Sequence, residues 1–237
     1  FPREILYLGG APGAGKGTVT EHILKIREIS APPIVMSNLL DSPQAKKIKD
    51  AGGLVGDFEV VEMLFTELLK PQYQNGVVID GFPRTMVQVE VVKKLYDIMM
   101  RQHKMSSKYN DGNKKSSNVV YFRRPIFRSL MLFVEEKESV MRQLTRGHQI
   151  IEHNKKVQET GNGIMLPLRK TDVDRDAARL RYNIFKEQTY DSLQKLKQYF
   201  HFHMINAQGT IEDVKHNIEK ELLYQSSLEL GADTFAT

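Results

Sequence analysis

The run EILYLGGAPGAGKGTVTEHILKIR (4–27) passes from apolar to glycine-rich to helical within a few residues. Its start, "EILYLGG", reads as a short buried strand that ends on glycine. Gly15 to about Arg27 reads as a helix, with Val19, Ile23, Leu24 and Ile26 on or near one face. Glycines placed between a strand and a helix let backbone N–H groups curl around an anion. The helix N-terminus adds its partial positive charge. Read from Gly10, the pattern is G-x-x-x-x-G-K-G-T, with one glycine more between lysine and threonine than the general phosphate-loop pattern G-x-x-x-x-G-K-[ST]. This assigns Gly13, Ala14, Gly15, Lys16, Gly17 and Thr18 to the binding of a nucleoside triphosphate. Lys16 acts as a point charge for the terminal phosphates, and Thr18 as a hydroxyl that approaches Mg2+. A glycine-rich turn arising by chance would lack the strand before it and the helix after it.

The rest of the chain extends the same alternation. "PPIVM", "NGVVIDGFP", "FRSLMLFV" and "FHMIN" read as further strands. "SPQAKKIKDAG", "DFEVVEMLFTELLK", Met86 to about Met100, "EEKESVMRQLTRG" ending at Gly147, Asp174–Tyr199 and Ile211–Gln225 read as helices. Strand-helix alternation predicts an α/β fold, a parallel sheet covered by helices on both faces. The polar, Ser/Lys/Asn-rich stretch 103–118 is expected to be an exposed flexible loop. After the helix end expected at Gly147, the segment 147–168 is polar, with "ETGNG" at its centre.

Composition sets limits. With 237 residues, 41% of them hydrophobic, the chain is long enough for one domain with a buried core and small inserts. No apolar run approaches the roughly 18 residues of a membrane span. With no cysteine, disulfides and thiolate metal sites are excluded. A net charge of +5 suits anionic partners. The lysine-rich loop lacks the interleaved aromatic residues that stack on nucleic acid, so neither nucleic acid nor a membrane is expected as a partner. The chain begins at Phe1, so a targeting segment could precede it. A cytoplasmic location is expected, with an organelle as the alternative.

A second motif, "VVIDGFPRT" (77–85), ends an apolar strand on Asp80. A carboxylate at a strand's C-terminal end, beside the glycine loop, can hold Mg2+ through water. Arg84 offers a rigid fork for phosphate oxygens, and Gln88 an amide for a base edge. Taken singly, Asp80 could be a helix cap and Arg84 a solvated loop charge.

The pair G-x-P-G-x-G-K-G-T and D-G-F-P-R-T, about 70 residues apart, resembles adenylate kinase, among the nucleoside monophosphate kinases, and the likeness runs from Ile5 to Leu222. The resemblance implies a CORE domain with a small monophosphate-binding insert, here 35–70, and a LID, here 147–168. It implies Mg2+-dependent transfer of the γ-phosphoryl group of ATP to AMP by a monomer. It also implies site residues. Arg142 and Arg146, one turn apart on a helix face, match two phosphate-contacting arginines. Arg169 and Asp172 of "RKTD" are similar to the family's RxDD stretch. Arg181 matches a further arginine on the following helix, with Arg179 as an alternative. Lys16, Arg84, Arg142, Arg146, Arg169, Asp172 and Arg181 are thus the implied catalytic set. Gly209 of "NAQGT" is implied beside the ATP adenine through main chain. Gly53, Leu54 and Val55, with Gly81, Arg84, Gln88, Arg169 and Arg181, are implied around AMP. No structural zinc is implied: the LID has no cysteine, and His148 and His153 read as surface residues.

One segment departs from the family. Where it usually reads STGDxLR, this chain has "VMSNLLD" (35–41), with Met36 for threonine and Asp41 for a phosphate-binding arginine. A carboxylate there opposes a phosphate. Lys46, Lys47 or Lys49 would have to compensate. The alternatives to adenylate kinase are a kinase for another monophosphate, or a nucleotide-binding module with little turnover.

Overall fold

The computed structural model describes residues 1–112 and 122–234, the side chains of 108–112 and 230–234 excepted. Five strands, β1 (Glu4–Gly10), β2 (Ile34–Val35), β3 (Val77–Asp80), β4 (Ile126–Phe133) and β5 (Met204–Asn206), form one parallel sheet in the order β2-β3-β1-β4-β5. β1 is central and has no polar face to show, so it reads as a continuous apolar run: Ile5, Leu6, Tyr7 and Leu8 are all buried.

Helices cover both faces. On one, Glu4 and Arg128 face α1 (Lys16–Ile26) and α9 (Ile211–Thr234). There Arg27 and Arg128 both donate to the Glu4 carboxylate, and Arg128 also reaches Glu229. On the other, Tyr7 and Phe127 pack edge-on, and Phe127 packs on Tyr96 of α5 (Met86–Gly112) and on Phe200. Helix α8 (Tyr190–Leu196) closes that face. The Gln225 side chain pairs with both main-chain groups of Ser129, 3.2 and 2.7 Å, where β5 has not yet joined β4.

β1 has β3 on one side and β4 on the other, so the direction of winding reverses there. That reversal opens a crevice at the C-terminal ends of the strands, where open α/β sheets bind ligands. The segment between β2 and β3 forms α2 (Met36–Leu39), α3 (Pro43–Asp50) and α4 (Asp57–Leu68) beside this crevice.

Several helices run differently from the sequence expectation. Helix α5 continues to Gly112 and takes in 103–112, expected as loop; residues 113–118 lie outside the described ones. Nothing in 103–111 stops a helix, and propagation past a formed turn needs no apolar face. Helix α6 (Glu136–Thr160) does not stop at Gly147. It ends at Gly161, whose φ of 67° is the left-handed C-cap conformation. Much of 147–168 is therefore helical. Gly147 serves packing instead: a Cβ there would overlap the Asp172 carbonyl. The long helix expected over 174–199 divides into α7 (Arg175–Ile184), a π-helical turn at Phe185–Thr189, and α8.

Candidate active site

The glycine loop sits at the end of β1. Ala11 N donates to Leu132 O, and the Ser139 hydroxyl of α6 donates to Pro12 O at 2.8 Å, so β4 and α6 hold the loop in place. Gly15 precedes the first residue of α1 with φ 83° and no side-chain cap. A residue with a Cβ would be strained there, and the uncapped first turn presents its N–H groups to the crevice. Gly13 and Ala14 lie in the loop itself, and Gly17 and Thr18 in the first turn of α1. Lys16 Nζ folds back to donate to Gly10 O (3.0 Å) and Ala11 O (3.1 Å).

Asp80 closes β3 in register with Leu8, and Gly81 N donates to Leu8 O, so this carboxylate lies directly beside the loop. Arg84 Nε donates to Gly81 O at 2.7 Å. Around these two motifs the arginines converge. Burial pushes the Lys16 ammonium down to about 8; Asp80 opposes that shift, while Arg84, Arg181 and Arg146 add to it. Burial likewise pushes Arg181 down to about 9, with Arg169, Arg84 and Arg146 adding and Asp172 opposing. Arg84 and Arg169 are lowered by the same causes. Lys16, Arg84, Arg146, Arg169 and Arg181 thus lie within one another's fields, with Asp80 and Asp172 as the neighbouring carboxylates. A polyanion bound among them would remove this mutual repulsion.

Each arginine is aimed by a neighbour. Arg146 pairs with Asp172, which is buried and leaves Oδ2 unpartnered. Arg181 donates to Gln143 Oε1 and Thr171 Oγ1, both at 3.4 Å. Gly52 of the turn before Gly53, Leu54 and Val55 lies against Arg181, which brings 51–55 to the cluster. Arg169 donates to the Ser37 hydroxyl at 3.4 Å. Arg179 instead points outward to Glu136. Arg142 donates to Glu138 (2.6 Å) and to Ala207 O (2.8 Å), joining α6 to the 206–210 turn that carries Gly209.

Gln88 is buried and engaged at both ends of its amide. Its Oε1 accepts from Arg84 N and its Nε2 donates to Asp57 Oδ1, both at 2.8 Å. Thr85 Oγ1 donates to the same Asp57 oxygen at 2.7 Å. In this arrangement Gln88 ties α4 to the Arg84 loop. Sequence reading passed over Asp57, whose signal was its place at the end of "AGGLVGD". It also passed over Gln143, Thr171 and Ser37, single polar residues whose partners lie far away in the chain.

Beyond Gly161 the chain doubles back along α6. Asn154 pairs with both main-chain groups of Leu166, and His153 Nε2 lies 3.1 Å from Ile164 O. Ile164, Met165, Leu166 and Leu168 are exposed on this arm.

A strand, a glycine loop, a helix N-terminus and a second strand ending on Asp80 define a P-loop nucleotide-binding fold of the kinase type. A family model described as an AAA domain matches residues 9–108. The chain is 39% identical to an adenylate kinase of Trichodesmium erythraeum over 114 residues, 45% of this chain and 59% of that protein. It is 40% identical to one of Caldicellulosiruptor bescii over 99 residues, 39% of this chain and 46% of that protein. An adenylate kinase of Flavobacterium psychrophilum matches along 91% of this chain and 96% of its own length, at 26% identity. The chain spans about half the length of the first curated relatives it matches. With the two motifs in their structural places, the chain is similar to adenylate kinases, in one case along nearly its whole length.

Proposed function

We propose that this chain transfers the γ-phosphoryl group of ATP to AMP, reversibly, giving two ADP. The observation that carries the reading is the cluster of Lys16, Arg84, Arg146, Arg169 and Arg181 at the C-terminal ends of the strands, with the glycine loop on one side and the 35–57 segment on the other. In the reaction a phosphate oxygen of AMP forms a bond to the γ-phosphorus as the bond to the β–γ bridging oxygen breaks, and ADP leaves. Little covalent chemistry is asked of the protein; it must align two nucleotides and neutralise charge. Lys16, Gly13–Thr18, Arg142 and Arg146 are read as holding the ATP phosphates, with Gly209 beside the adenine. Arg84, Arg169 and Arg181 are read as holding the acceptor phosphate, with Gly53, Leu54, Val55 and Gly81 lining its site. Gln88 takes part there by fixing Arg84.

Asp80 and Thr18 are hard oxygen donors beside the loop, a partial set that Mg2+ completes with phosphate oxygens and water. When bound, the ion would neutralise charge on the β- and γ-phosphates. In this reading 35–70 is the monophosphate-binding insert. The end of α6 and the arm at 161–168 form a lid, whose closure keeps water from the transferring group.

A coupled assay for ADP formation from MgATP with AMP, CMP, UMP and GMP tests this. Turnover with AMP above the others is expected. Turnover with another monophosphate would change the acceptor and keep the mechanism. ATP binding without turnover would overturn the kinase reading.

A further inference from the structure

The acceptor end of the cluster contains a cation that no motif assigns. Of the three lysines on α3, Lys46 and Lys47 are exposed, whereas Lys49 is partly buried and turned inward. Its ammonium donates to Ser37 O at 2.7 Å and to Leu40 O, the carbonyls at either end of the Ser37–Leu40 turn. Arg169 donates to the hydroxyl of the same Ser37. Lys49 and Arg169 therefore grip one residue from two sides, one through main chain and one through side chain. Their charges oppose each other, with Asp50 and Asp41 the acidic groups that offset Lys49.

We propose that Lys49 is the cation with which the 35–70 segment binds the phosphate of the acceptor nucleotide, beside Arg169 and in spite of Asp41. The inference rests on the acceptor reading above. Two neutral carbonyls take two of the ammonium's three donors. A phosphate oxygen is a charged acceptor, and an N–H to a charged acceptor makes a shorter and stronger bond than one to a carbonyl. A phosphate seated against Arg169 would lie within reach of an ammonium already held at Ser37. Lysine on a flexible stem can turn to it while keeping a carbonyl contact. Lys46 and Lys47, on the outer face of the same helix, cannot.

The test is calorimetric titration of AMP and of adenosine into the wild type, Lys49→Met, Lys49→Arg and Lys47→Met, with MgATP kinetics run in parallel. Loss of one charge-assisted bond is expected to weaken AMP binding by about tenfold or more in Lys49→Met. Adenosine binding and the KM for ATP should stay as in the wild type. Lys49→Arg should retain most AMP affinity, and Lys47→Met all of it. Unchanged AMP affinity in Lys49→Met would overturn the proposal. So would a parallel loss of adenosine binding, which would mark Lys49 as a brace for α2 only. A wild type that binds ATP yet neither binds nor phosphorylates AMP would overturn the acceptor reading itself, and Lys49's role with it.

Discussion

Gly147 packs so closely on Asp172 that a Cβ on the glycine would overlap the aspartate's carbonyl oxygen. This contact lets α6 run past the 169–172 segment and sets the Arg146–Asp172 pair at one height in the crevice. Gly147→Ala should therefore push the segment away. A destabilisation of about 1–3 kcal/mol is expected for such overpacking, together with a fall in kcat as Arg146 and Arg169 lose register. Denaturant unfolding alongside steady-state kinetics checks both. Wild-type stability and rate in the variant would show that the segment is not held by this contact.

Lys16→Met should remove phosphoryl transfer while leaving the fold intact. Loss of one preorganised charge at a developing phosphoryl charge is worth about a hundredfold to a thousandfold in kcat. The melting temperature should change little, because the substitution removes a partly buried charge that nearby arginines oppose and Asp80 favours. Turnover near that of the wild type would sink the assignment of the loop.

The Lys16 ammonium is lowered to about 8 by burial, which gives ATP binding a pH dependence. Between that value and the lysine's ordinary range, the unfolded chain binds more protons than the folded one. On this account alone, stability rises with pH through that window. A bound polyphosphate favours the ammonium and raises its pKa. ATP binding should then take up a fraction of a proton, up to about one, near pH 9 and almost none near pH 6.5. Calorimetry in buffers of different ionisation enthalpy reads this uptake. It should shrink in Lys16→Met; equal uptake in that variant would assign it elsewhere, Arg181 being the other strongly lowered cation.

Asp57 accepts from both Thr85 and Gln88, so removing it strands two donors at once. Asp57→Ala should cost about 1–3 kcal/mol of stability and raise the KM for the acceptor more than that for ATP. A double-mutant cycle with Gln88→Ala should give a coupling of about 0.5–3 kcal/mol. Additive effects would mean that the two residues act independently.

Asp41 is exposed, on the short turn between α2 and α3, and its charge acts on Lys49. Asp41→Asn should lower the KM for AMP by a few-fold, and Asp41→Arg by more, without changing the KM for ATP. An unchanged AMP constant in both variants would place Asp41 away from the acceptor phosphate.

The two glycine-proline motifs were legible because their chemistry is local. A phosphate loop needs its strand, glycines, lysine and helix in one unbroken run, here Glu4 to Ile26, and DGFPR needs only a strand end and the turn after it. The sheet was legible for a similar reason: parallel strands buried on both faces must be written as apolar runs such as EILYL and VVID. Helix ends were less so. Gly147 reads as a stop signal, yet its missing side chain answers to Asp172, a neighbour that only folding supplies. Arg179 and Arg181 are two residues apart, and local pattern could not choose between them. The turn of α7 puts one toward Glu136 and the other toward Gln143 and Thr171.

By itself, then, the amino-acid sequence determined the class of fold and the place of its phosphate loop, since both follow from short-range periodicity and backbone conformation. The tertiary structure decided which cations share the crevice, that Gln88 faces Asp57, and that Lys49 rather than Lys46 or Lys47 meets Ser37. These depend on distances between segments far apart in the chain, and the electrostatic field of a charge is set by such distances and by burial, neither of which is written in the order of the residues.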